Sequence, residues 1–152
     1  MKKFKTLVGK KQVEVIEYVK EYLSSHRDID ILIGCDSQNK GHQTVYALVL
    51  AMYTPGKGAH VIYDRFTTKR ERDGAKRLMN EVWHSIELAN NLMEAGLPRA
   101  KYIDIDLNPD PRYKSNEVLR AAVGWAEGLG YKVRHKGDSP MMTYAADHLV
   151  KN

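Results

Sequence analysis

The stretch IDIDLNPDP, residues 103–111, alternates for five residues and then breaks. Ile103, Ile105 and Leu107 form the apolar half of the alternation; Asp104 and Asp106 form the other half. Aspartate is a poor strand former, and two carboxylates on one strand face repel each other. Asn108 and Pro109 then stop the strand. A divalent cation would relieve the repulsion, so this strand end is a candidate metal site. The fold that presents it has to be read from the flanking segments.

Upstream, residues 11–25 place Val13, Ile16, Val19, Tyr22 and Leu23 at helical spacing. Residues 30–35 (DILIGC) read as a buried strand that feeds a polar turn at Asp36-Ser37-Gln38. Residues 44–53 and 59–66, rich in β-branched and aromatic side chains, flank the turn signal TPGKG and read as a hairpin. From 73 to 95 the period becomes helical, with Leu78, Val82, Ile86, Ala89 and Met93 on one face and Gly96-Leu97-Pro98 as a stop. Downstream, Ser115 begins a helix that Gly128 and Gly130 end, residues 131–135 form a short strand, and Ser139-Pro140 opens a last helix through Val150. Hairpin-joined strands followed by helix-joined strands predict a mixed sheet with helices packed on it. Trp83 and Trp125 lie among apolar neighbours and read as core, as does Cys35.

The composition bounds the answer without deciding it. The chain has 152 residues, 43% hydrophobic and 28% charged, which fits one globular domain, residues 1–152, with 1–28 as an N-terminal helical extension. The net charge of +5 leans mildly towards an anionic partner. One cysteine excludes an internal disulfide and a cysteine-based zinc site. No apolar run has the length of a bilayer span or a signal-peptide core, so a cytoplasmic protein with no membrane partner is expected.

Asp36 falls at the carboxyl end of the first predicted strand, where open α/β sheets bind ligands. If that strand lies parallel to the one carrying Asp106, the two carboxylates meet. Glu81 lies beside the apolar face of the long helix, and Asp147 lies two turns into the last one, behind small alanines. Each also has a plainer reading: Asp36 as a turn cap, Asp106 as an edge-strand charge, and Glu81 and Asp147 as solvated helix acids.

The order of these acids, and the segments IGCDSQ, TPGKGAHVIYDRF, NEVWHSIELANNL, IDIDLN and AADHLV, resemble the bacterial ribonuclease H-like YkuK-type family, formerly a domain of unknown function. The resemblance runs from Ile31 to the end of the chain. It implies a ribonuclease H-like α/β fold: a mixed five-stranded sheet in the order β-β-β-α-β-α-β-α, with an extra N-terminal helix. It assigns the catalytic and metal-binding positions to Asp36, Glu81, Asp106 and Asp147. Histidine is common in the family where Asp104 stands, which favours Asp106 as ligand. Asp104, Asp138 and His148 are then supporting candidates, and His148 or His135 could shuttle a proton. The implied chemistry is phosphodiester hydrolysis in RNA, DNA or an RNA/DNA hybrid, with two Mg²⁺ or Mn²⁺ ions roughly 3.5–4 Å apart. Lys57, Arg65, Lys69 and Arg70, with Arg72, Lys76 and Arg77 nearby, are candidates for the nucleic-acid backbone. The alternative is a catalytically inactive nucleic-acid-binding or scaffold domain on the same fold. A nucleotide phosphotransferase ranks below both, because the chain has no Gly-rich phosphate loops.

Overall fold

A computed structural model describes residues 3–105 and 115–135. Their elements are β1 (Lys3–Thr6), β2 (Gln12–Glu14), α1 (Val15–Ser25), β3 (Asp30–Lys40), β4 (Gln43–Thr54), β5 (Gly58–Lys69), α2 (Gly74–Glu94), β6 (Tyr102–Ile105), α3 (Ser115–Gly128) and β7 (Val133–His135). The strands form one mixed sheet in the order β2-β1-β5-β4-β3-β6-β7. Pairings from β2 through to β3 are antiparallel, and β3-β6 and β6-β7 are parallel. The mixed α/β architecture is the expected one, with seven strands in place of five.

The two extra strands come from the N-terminus, where a helix alone was expected. Phe4 and Thr6 point inward and Lys3 and Lys5 outward, an alternation too short to stand out among lysines. Val13 belongs to β2, opposite Phe4, and not to the helix. The helix starts only at Val15, because the Glu14 side chain accepts hydrogen bonds from the N–H groups of Ile16 and Glu17 and caps it.

β4 lies in the interior of the sheet and is buried over most of its length, which explains its near-continuous apolar run. Its residues alternate between two cores. Tyr46, Leu48, Leu50 and Met52 join Ile31, Ile33 and Cys35 in the larger one, which α1, α2 and α3 cover through Val19, Val82, Ile86, Leu92, Ala122 and Ala126. Val45, Ala47, Val49 and Ala51 join Leu32, Val61 and Tyr63 on the opposite face.

Two boundaries position the site. β3 does not turn at Asp36-Ser37-Gln38; it runs on to Lys40 because Gln43–Ala47 of β4 pair with it residue for residue. α2 begins behind Asp73, whose carboxylate accepts from the N–H groups of Ala75 and Lys76. It ends as expected at Gly96, which takes φ 81° while Leu97 N–H returns to Leu92 O at 3.0 Å. Trp83 departs from expectation: it is 45% exposed on the outer side of α2. Among the described residues no helix is long and apolar enough to cross a membrane.

Candidate functional site

The parallel register sets the site. Leu32, Ile33 and Gly34 of β3 pair with Tyr102, Ile103 and Asp104 of β6. Past that point, among the described residues, β3 pairs with β4 alone. Asp36 lies two residues past Gly34, the last β3 residue paired with β6 among the described residues. Asp36 is the seventh residue of an eleven-residue strand, so it lies within β3 and not at its end.

Alternation sends Cys35 and Ser37 towards α2, and Asp36 with Leu32 and Gly34 to the other face. Ser37 joins two of the predicted acids. Its backbone N–H donates to Asp36 Oδ1 at 2.8 Å, and its hydroxyl donates to Glu81 Oε2 at 2.5 Å. Glu81 is only 8% exposed and Ser37 9%, so the solvated-helix-acid reading of Glu81 does not hold. An aromatic wall stands beside them. Tyr46, opposite Ser37 in the register, stacks on Phe66, and the His84 ring meets both edge-on. Burial pushes the Tyr46 phenol above its ordinary pKa. The hydrogen bond from Asn80 pulls it down, and the charge of nearby Glu81 raises it further.

Asp104 has a different environment. Arg134 of β7 sits opposite it, with Nε at 3.1 Å from Oδ1 and Nη2 at 3.4 Å from Oδ2. The guanidinium lies 4.6 Å over the Tyr102 ring. This two-point ion pair knits β6 to β7. Asp106, Asp138, Asp147 and His148 lie outside the described residues, so their convergence on Asp36 stays an expectation.

Among the described residues no group of three or more His, Cys, Asp or Glu side chains could hold a metal ion. The donors present nevertheless suit a hard cation. Asp36 and Glu81 each offer a carboxylate oxygen that accepts a hydrogen bond from Ser37. Gln38, two positions beyond Asp36 on the same face, buries Oε1 without a hydrogen-bond partner among the described residues. An orphaned amide oxygen needs a donor or a cation, and hard divalent ions accept such oxygens.

The predicted basic cluster divides. Ala47 pairs with both Asp36 and Arg65, so Arg65 stands two strands from Asp36 in one row, about 10 Å away. Lys69 ends β5, and Arg70 donates to Gly41 O at 2.6 Å beyond it. Lys57 sits in the 54–58 turn at the other end of the hairpin, roughly 36 Å from Lys69 at about 3.3 Å per residue. Lys76 pairs with Glu71 at 3.7 Å.

Ser37, Gln38 and Arg134 beside the candidate acids were not expected from the sequence. Counting alternation onward from Ile31, Ile33 and Cys35 would have put Ser37 under α2. Arg134 depends on the β6-β7 register, which no local pattern reveals.

A mixed sheet with Asp36 on the interior strand β3 and Glu81 on the helix packed against it fits a ribonuclease H-like protein. The model of the Ribonuclease H-like family matches residues 14–151, and the chain belongs to that family. The crystal structure of RNase H1 from the halophilic archaeon Halobacterium salinarum NRC-1 is similar at 16% identity and a TM-score of 0.45, covering 79% of this chain and 93% of that one. No curated protein matches the sequence.

Proposed function

We propose that the protein is a divalent-metal-dependent nuclease that hydrolyses phosphodiester bonds in RNA, DNA or an RNA/DNA hybrid. The observation that carries this reading is Ser37, whose N–H donates to Asp36 and whose hydroxyl donates to Glu81. Asp36, Glu81, Asp106 and Asp147 would hold Mg²⁺ or Mn²⁺, with Gln38 Oε1 as a further oxygen beside Asp36. Bound there, the metal would supply an activated water and charge stabilisation for the leaving oxygen. Ser37 orients Glu81, and the aromatic wall of Tyr46, Phe66 and His84 limits water on that side. Asp138 and His148 are supporting candidates, with His148 suited to proton transfer near neutral pH. Arg65, Lys69 and Arg70 lie on the same half of the sheet as Asp36 and suit a phosphate backbone. Lys57, at the far end, is left out of this set.

The second reading is an inactive nucleic-acid-binding domain. Its support is Asp104, whose carboxylate is engaged by Arg134 and so contributes to packing. Labelled RNA, DNA and hybrid, incubated with Mg²⁺ or Mn²⁺ and either the wild-type chain or Asp36→Asn, separate the two. Cleavage that disappears in Asp36→Asn supports the nuclease. Retained binding without cleavage of any substrate supports the second reading, and cleavage that survives the substitution places the activity elsewhere.

A further inference from the structure

The β1-β2 hairpin has no part in the site described above, and its charge is one-sided. Residues 3–12 (KFKTLVGKKQ) hold four lysines and no acid. Lys3, Lys5, Lys10 and Lys11 are all exposed. Among the described residues none of them forms an ion pair. The next acid along the chain, Glu14, stands opposite Lys3, and its two oxygens accept from the N–H groups of Ile16 and Glu17.

The hairpin is held in shape. Phe4 is fully buried and fixes β1 to the core. Leu7 N–H donates to Val61 O at 3.0 Å. Thr6 closes the turn: its N–H donates to Lys11 O at 2.9 Å, and its hydroxyl donates to Val8 O at 2.7 Å and accepts from Lys11 N–H at 2.9 Å. Gly9 and Lys10, at φ 84° and 51°, bring the chain back. The tip so formed projects Val8, 87% exposed, with Leu7 beside it and lysines on both sides. Cations around a fixed apolar tip suit a nucleic-acid groove, with ammonium groups on phosphates and the tip on sugar or base edges. No exposed residue of the hairpin is aromatic, so base stacking of the single-strand kind is not its mode.

The sheet register aims this hairpin along the face that carries Asp36. Lys5 pairs with Tyr63, Tyr63 with Val49, and Val49 with Gly34, two residues before Asp36. Lys5, Lys3 and Asp36 therefore point to one face, and exposed Arg65 shares it on the intervening strand β5. Three strand spacings of about 4.8 Å and two residues of about 3.3 Å place Lys5 about 16 Å from Asp36.

We propose that the β1-β2 hairpin is a second nucleic-acid contact, a basic wing whose lysines hold backbone phosphates about five nucleotide steps from the acids and whose Leu7-Val8 tip enters a groove. The proposal rests on the nuclease reading for its partner. Because the wing is already ordered, binding costs it little conformational entropy.

The test measures binding apart from cleavage. Fluorescence anisotropy of a labelled RNA/DNA hybrid is followed in EDTA at several salt concentrations. The full wild-type chain is compared with Lys3→Gln/Lys5→Gln, Lys10→Gln/Lys11→Gln, the variant combining all four, Lys10→Arg/Lys11→Arg and Val8→Ser, each checked for a wild-type melt. Each double glutamine variant is expected to weaken binding and to lower the slope of log affinity against log salt by about 2. The arginine variant, which keeps the charge, is expected to keep the slope. Val8→Ser is expected to weaken binding with the slope unchanged. Wild-type affinity and slope in the fourfold variant would overturn the wing. So would a wild-type chain that binds vesicles of equal parts phosphatidylserine and phosphatidylcholine through these lysines but binds no nucleic acid. Parallel incubations with Mn²⁺ keep the two readings apart. A lowered slope without any cleavage leaves the wing standing and removes the nuclease. Intact cleavage with an unchanged slope removes the wing alone.

Discussion

On the face of the sheet that α2 covers, Glu81 receives a hydrogen bond from a neutral hydroxyl, whereas on the opposite face Asp104 lies against the guanidinium of Arg134. Both carboxylates are more than nine-tenths buried. A hydroxyl orients a carboxylate without cancelling its charge; a guanidinium does both. The Arg134 pair ties β6 to β7. Asp36 points to the same face as Asp104, and Ser37, whose N–H donates to Asp36 and whose hydroxyl donates to Glu81, links the two faces.

Substitutions can break this contrast. The largest effect is expected for Asp36→Asn: loss of Mn²⁺-dependent cleavage on the order of 10³-fold or more, with thermal stability close to wild type, read in a single-turnover assay. Next is Ser37→Ala. Removing a group that positions a ligand lowers metal affinity by about 10–100-fold, and Ser37→Thr, which keeps the hydroxyl, recovers most of it. Calorimetric Mn²⁺ titration reads both.

On the other face, Arg134→Ala leaves Asp104 buried without its guanidinium and costs about 2 kcal/mol in chemical denaturation. Combining it with Asp104→Asn recovers part of that loss, because the stranded charge is gone. Neither change at this ion pair should alter Mn²⁺ affinity as Ser37→Ala does.

The smallest effect sharpens the picture of the helix-covered face. His60 Nε2 lies 2.6 Å from the Tyr18 hydroxyl, and its ring stacks with Tyr22, which in turn stacks on His26. Burial holds the His60 pKa below its ordinary value, and the nearby His26 lowers it further. Below about pH 6.5 the unfolded chain therefore binds more protons than the folded one. The stability this contributes is present above that pH and is lost as pH falls through the folded value. Melting temperature should drop on acidification, and less so in His60→Gln.

Much of the fold was legible because hydrophobic period reports it directly. The long helix, the hairpin of β4 and β5 and the parallel neighbour of β3 all follow from apolar spacing and turn residues. Short or polar strands were not. β1 hides its alternation among lysines, and the tail of β3, Asp36-Ser37-Gln38-Asn39-Lys40, has little strand propensity of its own and is a strand because β4 pairs with it. Trp83 misled because aromatic bulk suggests core, while its position on α2 faces outward. At the site, Asp36 and Glu81 stand out by charge in an apolar context. Ser37 and Arg134 act through partners 44 and 30 residues away, and a contact of that kind exists only once the register is set.

If Asp36 and Glu81 serve one cation site joined by Ser37, both carboxylates contribute to the same bound ion. Mn²⁺ titration followed by electron paramagnetic resonance tests it on the full chain, without any substrate. Wild type is expected to remove the free-ion signal, and Asp36→Asn and Glu81→Gln each to weaken this binding strongly. Wild-type Mn²⁺ uptake in both variants would contradict it.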